Sequence, residues 1–235
     1  MAFQQEKIDK RVAEEVISGC KKRGRKPQAP EQTVNPEKKA NVTDPESRIM
    51  KTRSGYVQGY NGQAVVTEEQ IIVAADVTQE ENDVKQVQPM LKQAAENITK
   101  MGKKEQIGTG LMDAGYWSEN NVRLKGAEVG EVLIATKKDW KQRQALRTGP
   151  SPRGRIPSGL SLAGRMERKL LTKRGRELYR KRSPMIEGVF GQIKEVRGCD
   201  KFMRRGIKAN RSEWKLICAT HNLLKLWRSG KYCWN

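Results

Sequence analysis

Between residues 56 and 136, short strand-like runs alternate with one long amphipathic segment, and this order restricts the fold more than any other feature of the chain. Residues 56–67 (YVQGYNGQAVVT) alternate apolar and polar positions, and residues 70–77 (QIIVAADV) form a near-continuous apolar run. With Glu68 and Glu69 as the turn, they predict an antiparallel hairpin. Residues 79–101 place Val84, Val87, Leu91, Ala94 and Ile98 on one helical face, with Pro89 a possible point of bending. A third strand is predicted over 107–113, ending at Asp113. Ser118 is placed to cap a short helix over 119–125, and residues 131–136 (EVLIAT) read as a fourth strand. Strands separated by helices predict an α/β domain.

The flanks are plainer. Residues 3–18 read as a short helix without a capping signal at its start. Residues 19–43 are rich in Gly, Pro and Lys/Arg and read as a linker. Inside it, Arg23-Gly24-Arg25-Lys26-Pro27 resembles a minor-groove AT-hook core interrupted by Lys26; a solvated basic linker is the simpler reading. Residues 139–165 are polar and predict a loop. Helices are predicted over 166–182 and 184–197, with Ser183-Pro184 as an N-cap and first-turn pair between them. A last helix over 211–228 carries Trp214, Ile217, Cys218, His221, Leu224 and Trp227 on one stripe, where His221 and both tryptophans read as packing residues.

Charge points to the partner. Residues 1–135 hold 20 Lys/Arg and 20 Asp/Glu, whereas residues 136–235 hold 27 and 7, so the second part carries the whole net charge of +20. A single-sign field of that size selects a polyanion, with nucleic acid first among them. The cysteines, Cys20, Cys199, Cys218 and Cys233, form no C-x-x-C pair. With His221 the single histidine, the pattern argues against zinc and for reduced cytosolic thiols. No apolar run approaches the ~18 residues of a membrane span, and no signal peptide is evident. A cytoplasmic, nucleoid-associated protein is expected.

Two acids stand out against this basic background. Asp113 closes a predicted strand in LMDAGYW; Glu187 lies in YRKRSPMIEGVFGQIKEVRG, in a basic helix. Carboxylates so placed can hold two Mg²⁺ ions ~3.5–4 Å apart for phosphoryl transfer. Mg²⁺ takes hard oxygen ligands, so Asp and Glu suit it and the cysteines do not. Around Glu187, Tyr179, Arg182 and Lys194 recur at helical intervals, and the run Arg180-Lys181-Arg182 with Lys194 and Arg197 supplies candidate phosphate contacts. From spacing alone, Asp113 is better read as a strand-end turn residue, and Glu187 can be read as an ordinary ion-pair partner of Arg182 or Lys194.

At these residues the chain resembles the DDE transposases of bacterial insertion sequences, in the IS4/IS5-type group and nearest to its IS1182-type members. The likeness runs through TDPESRIMKTRSGYVQGYNGQAVV, LMDAGYWSENNV, the YRKR…EGVFGQIKEVRG block and ATHNLLKLW, in the family's order. It implies an RNase H-like fold with a basic helical C-terminal part, and Mg²⁺ or Mn²⁺ as cofactor. Asp113 and Glu187 would be the second and third catalytic metal ligands; Tyr179, Arg182 and Lys194 would position DNA at the element ends and target. It also implies that the first central strand, with the first catalytic Asp, is missing here, so that residues 1–43 are the remnant of an insertion and 44–235 a partial, truncated catalytic domain. Asp44 sits in a capping context, and Asp76 would lie roughly 10 Å from Asp113 across the sheet, so neither is expected to replace that Asp. The alternative is a non-catalytic DNA-binding regulator that self-associates or mixes with full-length transposase.

Overall fold

A computed structural model describes residues 2–19, 41–52, 55–103, 106–124 and 129–230. The AT-hook-like Arg23–Pro27 stretch, Cys20 and Cys233 lie outside them. The chain forms two compact units, Met1–Val42 and Thr43–Asn235. In the first, helix α1 spans Ala2–Ser18, with an Arg11–Glu15 ion pair of 2.9 Å one turn apart. All that follows concerns the second unit.

Among the described residues, six strands form three pairs rather than one sheet. Strands β1 (Arg48–Thr52) and β2 (Gly55–Gly59) pair antiparallel, as do β3 (Asn61–Val66) and β4 (Ile72–Thr78). Strand β5 (Ile107–Met112) pairs with β6 (Val129–Ile134) in parallel. The expected strand over 56–67 is thus two strands, parting at Tyr60, and β1 had no forecast. β1 is exposed on both faces except at Met50, so it carries no apolar alternation to read. Its register with β2 runs from Arg48 opposite Gly59 to Thr52 opposite Gly55.

Helix α2 (Val87–Lys100) follows a single 3-10 turn at Asp83–Gln86, so Pro89 falls in its first turn, where its missing N–H costs little. Ala74 of β4 packs on Met90 and Ala94 of this helix. Val87 and Leu91 pack on Val129, Val132 and Ile134 of β6. Helix α3 (Glu119–Val122) begins as expected at Ser118, whose hydroxyl accepts from the Asn121 amide at 3.1 Å.

Beyond β6 the expected loop is in part a helix, α4 (Asp139–Thr148). Only Gln142 and Leu146 of its ten residues are buried, so no apolar stripe announces it; Leu146 joins Leu133, Met166, Leu170 and Tyr179 in one cluster. Helix α5 (Leu162–Leu171) and helix α6 (Lys173–Gly191) meet at Thr172, whose hydroxyl caps α6 through the Gly175 amide at 3.0 Å. The elbow is tight enough that a Cβ on Gly175 would overlap the Lys169 carbonyl. The helix break therefore falls at Thr172 and not at Ser183-Pro184. Pro184 lies inside α6, where it forgoes one helical hydrogen bond. Buried Tyr179 and Val189 anchor the helix on either side of it. Helix α6 runs on into a π turn at Gln192–Val196.

Helix α7 (Ile207–Arg228) packs along β4. Trp214 and Cys218 bury against Ile72, Ala75 and Val77, with Val189 and Ile193 from the α6 region. His221 is buried as expected, its Nε2 3.1 Å from the Gln70 carbonyl oxygen. Trp227 is not a core residue: it is 65% exposed, because the last turn of α7 runs past the strands it covers. Asn222 meets the backbone of β4 like a neighbouring strand, accepting from the Ile72 amide (2.8 Å) and donating to its carbonyl (2.7 Å).

Candidate functional site

Asp113 follows directly on β5 and caps the 3-10 turn Ala114–Tyr116, its Oδ1 accepting from the Gly115 amide at 2.8 Å. Strand β5 delivers the residue; the turn fixes its carboxylate. A second acid shares the place. A Cβ on Gly115 would lie 3.0 Å from Asp113 Oδ1 and 3.4 Å from Asp83 Oδ2, so both carboxylates flank one glycine. Asp83 is held by amides from β3: Asn61 Nδ2 and Gln63 Nε2 each donate to its Oδ1 at 2.7 Å. Gln63 in turn accepts from the Tyr116 hydroxyl at 2.6 Å. Burial, with the charges of Asp83 and Asp113 next, raises the Tyr116 hydroxyl pKa and keeps it a donor.

Asp83 escaped the reading of the sequence. Its local signal, an acid before an amphipathic helix, is the ordinary signature of a helix start. Only the folded chain brings it to Asp113.

These residues stand at one end of a cavity of about 640 Å³. Strands β3 and β5 wall it along their lengths, α2 covers one side, and α6 supplies Arg182, Met185, Ile186 and Phe190 with Lys194 beyond. Lys194 lies with its Nζ 5.3 Å from the Phe190 ring centroid, at the cavity and exposed.

Glu187 is placed differently. It lies on α6 within the helical stretch shared with Arg182 and Lys194, but it is exposed and pairs with Arg143 Nη2 at 3.0 Å. It does not line the cavity that holds Asp113. Among the described residues no three His, Cys, Asp or Glu side chains are grouped to hold a metal ion. Asp44, by contrast, accepts from the Tyr60 hydroxyl at 2.8 Å, and Asp76 pairs with Arg211 at 2.8 Å.

The basic residues divide by task. Tyr179 is buried, and its hydroxyl donates to the Met112 carbonyl at 3.0 Å, one residue before Asp113. Burial pushes that hydroxyl up to about 12. Arg182 sits over the Tyr179 ring and donates to Asp139 Oδ1 at 2.8 Å, while its buried Nε has no hydrogen-bond partner among the described residues. Burial works against ionised Asp139, yet Arg143 and Arg182 hold its carboxyl below the ordinary value. Lys181 pairs with Glu68 at 2.6 Å. Arg197 ties the π turn to α7 through the Ile217 carbonyl (3.1 Å) and the Thr220 hydroxyl (2.6 Å). Arg180 is exposed, and with Arg143, Arg147 and Arg182 it lines a second cavity of about 400 Å³. Asp139, which pairs with Arg143 and Arg182, lines the same hollow.

The described residues form a mixed helix and strand domain in which a strand-end acid pair lies beside a strongly basic helical region. Residues 157–227 match a family described as a transposase DDE domain, which points to DNA transposition in general terms. The matched stretch takes in α5, α6 and α7, and with them Tyr179, Arg180, Lys181, Arg182, Glu187, Lys194 and Arg197; Asp113 lies before it. No curated protein and no solved structure matches the chain. No helix among the described residues is long and apolar enough to cross a membrane.

Proposed function

We propose that this chain serves DNA transposition as an RNase H-like DDE domain of the insertion-sequence type, and that on its own it binds DNA without cutting it. The observation that carries the reading is Asp113, held at the end of β5 beside Asp83 at one end of the same cavity that Arg182 of α6 and Lys194 of the π turn line. The family match over α5–α7 supports it from the other side.

Asp113 and Asp83 offer the carboxylate oxygens a hard divalent ion takes, but Glu187 lies outside their cavity, paired with Arg143. In a complete enzyme Asp113 and Glu187 would hold Mg²⁺ or Mn²⁺, which would supply the activation of attacking and leaving oxygens in hydrolysis and strand transfer; in this chain Glu187 would first have to leave Arg143. The chain's own residues do the positioning. Tyr179 fixes the backbone before Asp113, and Gln63 and Asn61 orient Asp83. Arg180, Arg147 and Lys194 offer charge to the phosphate backbone of element ends and target.

Binding without cutting follows from Glu187, which is paired with Arg143 rather than turned to Asp113. The same pairing favours a second role, as a DNA-binding regulator acting beside a complete transposase. The test is a plasmid assay with the purified chain in Mg²⁺ and then Mn²⁺, alongside salt-titrated duplex binding. Retention of DNA with no nicking is expected. Nicking that disappears in Asp113→Asn would overturn the non-cutting part, and failure to bind duplex DNA at low salt would overturn the whole reading.

A further inference from the structure

Two ion pairs stitch α4 to α6, and a third joins them. Asp139 of α4 accepts from Arg182 of α6 at 2.8 Å, and Arg143 of α4 donates to Glu187 of α6 at 3.0 Å. Arg143 also bonds to Asp139, one turn before it on its own helix. The four side chains thus form a row of alternating charge, Arg182–Asp139–Arg143–Glu187.

The two ends of the row differ. The Arg182 side chain is 12% exposed and lies over the Tyr179 ring, so that end is fixed. At the other end the Arg143 and Glu187 side chains are 48% and 53% exposed, where water and salt screen an ion pair and a competing anion can reach it. Both contacts of Arg143 use its Nη2. When Glu187 leaves, Asp139 remains, so the guanidinium keeps one carboxylate throughout.

Arg143 also lines the hollow of about 400 Å³, together with Arg147, one turn further along α4, and Arg180 of α6, both exposed. Ser183 lines it too, and Glu187 follows Ser183 by one turn of α6 without lining it. Among the described residues the Glu187 carboxylate is bonded to Arg143 alone. A phosphate oxygen in the hollow meets Arg147 and Arg180 as well, and forked guanidinium groups suit phosphate geometry. That difference sets the direction in which Arg143 changes partner when DNA arrives.

We propose that Arg143 exchanges Glu187 for a DNA phosphate: it holds the carboxylate in the free chain and contacts the phosphate, with Arg147 and Arg180, in the complex. The inference rests on the duplex-binding reading above and adds a regulation to it. Duplex binding frees Glu187, and Glu187 by occupying Arg143 weakens duplex binding to the same degree.

A double-mutant cycle on duplex affinity tests it, using the full chain, a fluorescein-labelled duplex and anisotropy. Glu187→Gln should raise affinity about threefold to fivefold in the parent chain, and by less than about twofold in Arg143→Ala. In the Glu187→Gln background, Arg143→Ala should lower the slope of log affinity against log salt by about one. Glu195→Gln removes an exposed acid from the π turn and controls for bulk charge; its effect should be equal with and without Arg143. Arg143→Gln repeats the cycle with a second replacement, in case alanine disturbs α4. Equal gains from Glu187→Gln in both backgrounds overturn the inference, as does no gain in either. A parent chain that binds no duplex at low salt overturns the DNA-binding reading and this inference together.

Discussion

The Tyr179 hydroxyl donates to the Met112 carbonyl at 3.0 Å, joining the helix that carries Glu187 to the strand that delivers Asp113. The two residues are 67 apart in sequence. The bond is made in a buried setting, among Leu133, Met166 and Leu170, so water does not compete for it. The ring also carries Arg182 on its face.

Tyr179→Phe keeps the ring and removes the bond. A loss of about 1 kcal/mol is expected, which lowers Tm by roughly 2–4 °C in a chain of this size. Thermal denaturation measures it. An unchanged Tm would mean that the Met112 carbonyl is satisfied by the Ala135 amide alone, with which it also bonds at 3.1 Å.

The two acids beside Gly115 should separate under substitution. Asp113→Asn keeps an oxygen for the Gly115 amide, so stability stays within about 0.5 kcal/mol while Mn²⁺ affinity falls about tenfold or more. Asp83→Ala removes the one oxygen to which Asn61 and Gln63 both donate, and costs about 1–3 kcal/mol. Calorimetric Mn²⁺ titration and urea unfolding on the same two proteins distinguish the roles. Equal destabilisation by both would show that Asp113 is there for the turn.

Duplex DNA binding should weaken steeply with salt. If six or more of the cations in the second part of the chain meet phosphates, affinity drops by at least about 10³ between 50 and 200 mM salt. Arg180→Ala and Lys194→Ala should each lower the slope of log affinity against log salt by about one. Lys181→Ala, which frees Glu68 from its ion pair, should change it less. Fluorescence anisotropy across a salt series reads all three.

Acid should unfold the domain partly through Glu131 on β6. Arg174, which bonds to its Oε1, and Lys169, at 2.6 Å from its Oε2, hold its carboxyl down at about 2 against burial. The folded pKa is depressed, so the unfolded chain binds the proton more readily at low pH. The stabilisation is therefore complete above the ordinary carboxylate range near 4.5 and is lost as pH falls from there towards 2. Glu131→Gln should lower stability at pH 7 by about 1 kcal/mol and flatten the unfolding profile between pH 4.5 and 2. A profile as steep as the parent's would place the acid sensitivity elsewhere.

The sequence by itself determined the elements whose burial repeats at a fixed period. The apolar run of β4, the stripe of α2, the strands before Asp113 and around Leu133, and the cap at Ser118 are all local signals; the strands stand within a few residues of their expected places, while α2 begins at Val87 and not at residue 79. The skew of charge, too, is written in composition alone. Tertiary structure decided the rest, because it depends on residues far apart in the chain. Helix α4 forms with two buried residues because Leu146 finds Leu170 and Met166. Helix α6 passes through Pro184 because Tyr179 and Val189 are buried on either side of it, and those contacts exceed the ~3 kcal/mol that proline costs. Trp227 is left in solvent because α7 outruns β4. The approach of Asp83 to Asp113, the pairing of Glu187 with Arg143, and the cavity that β3 and β5 line have no period and no motif. They exist only where separate elements converge, and a one-dimensional pattern carries no record of that.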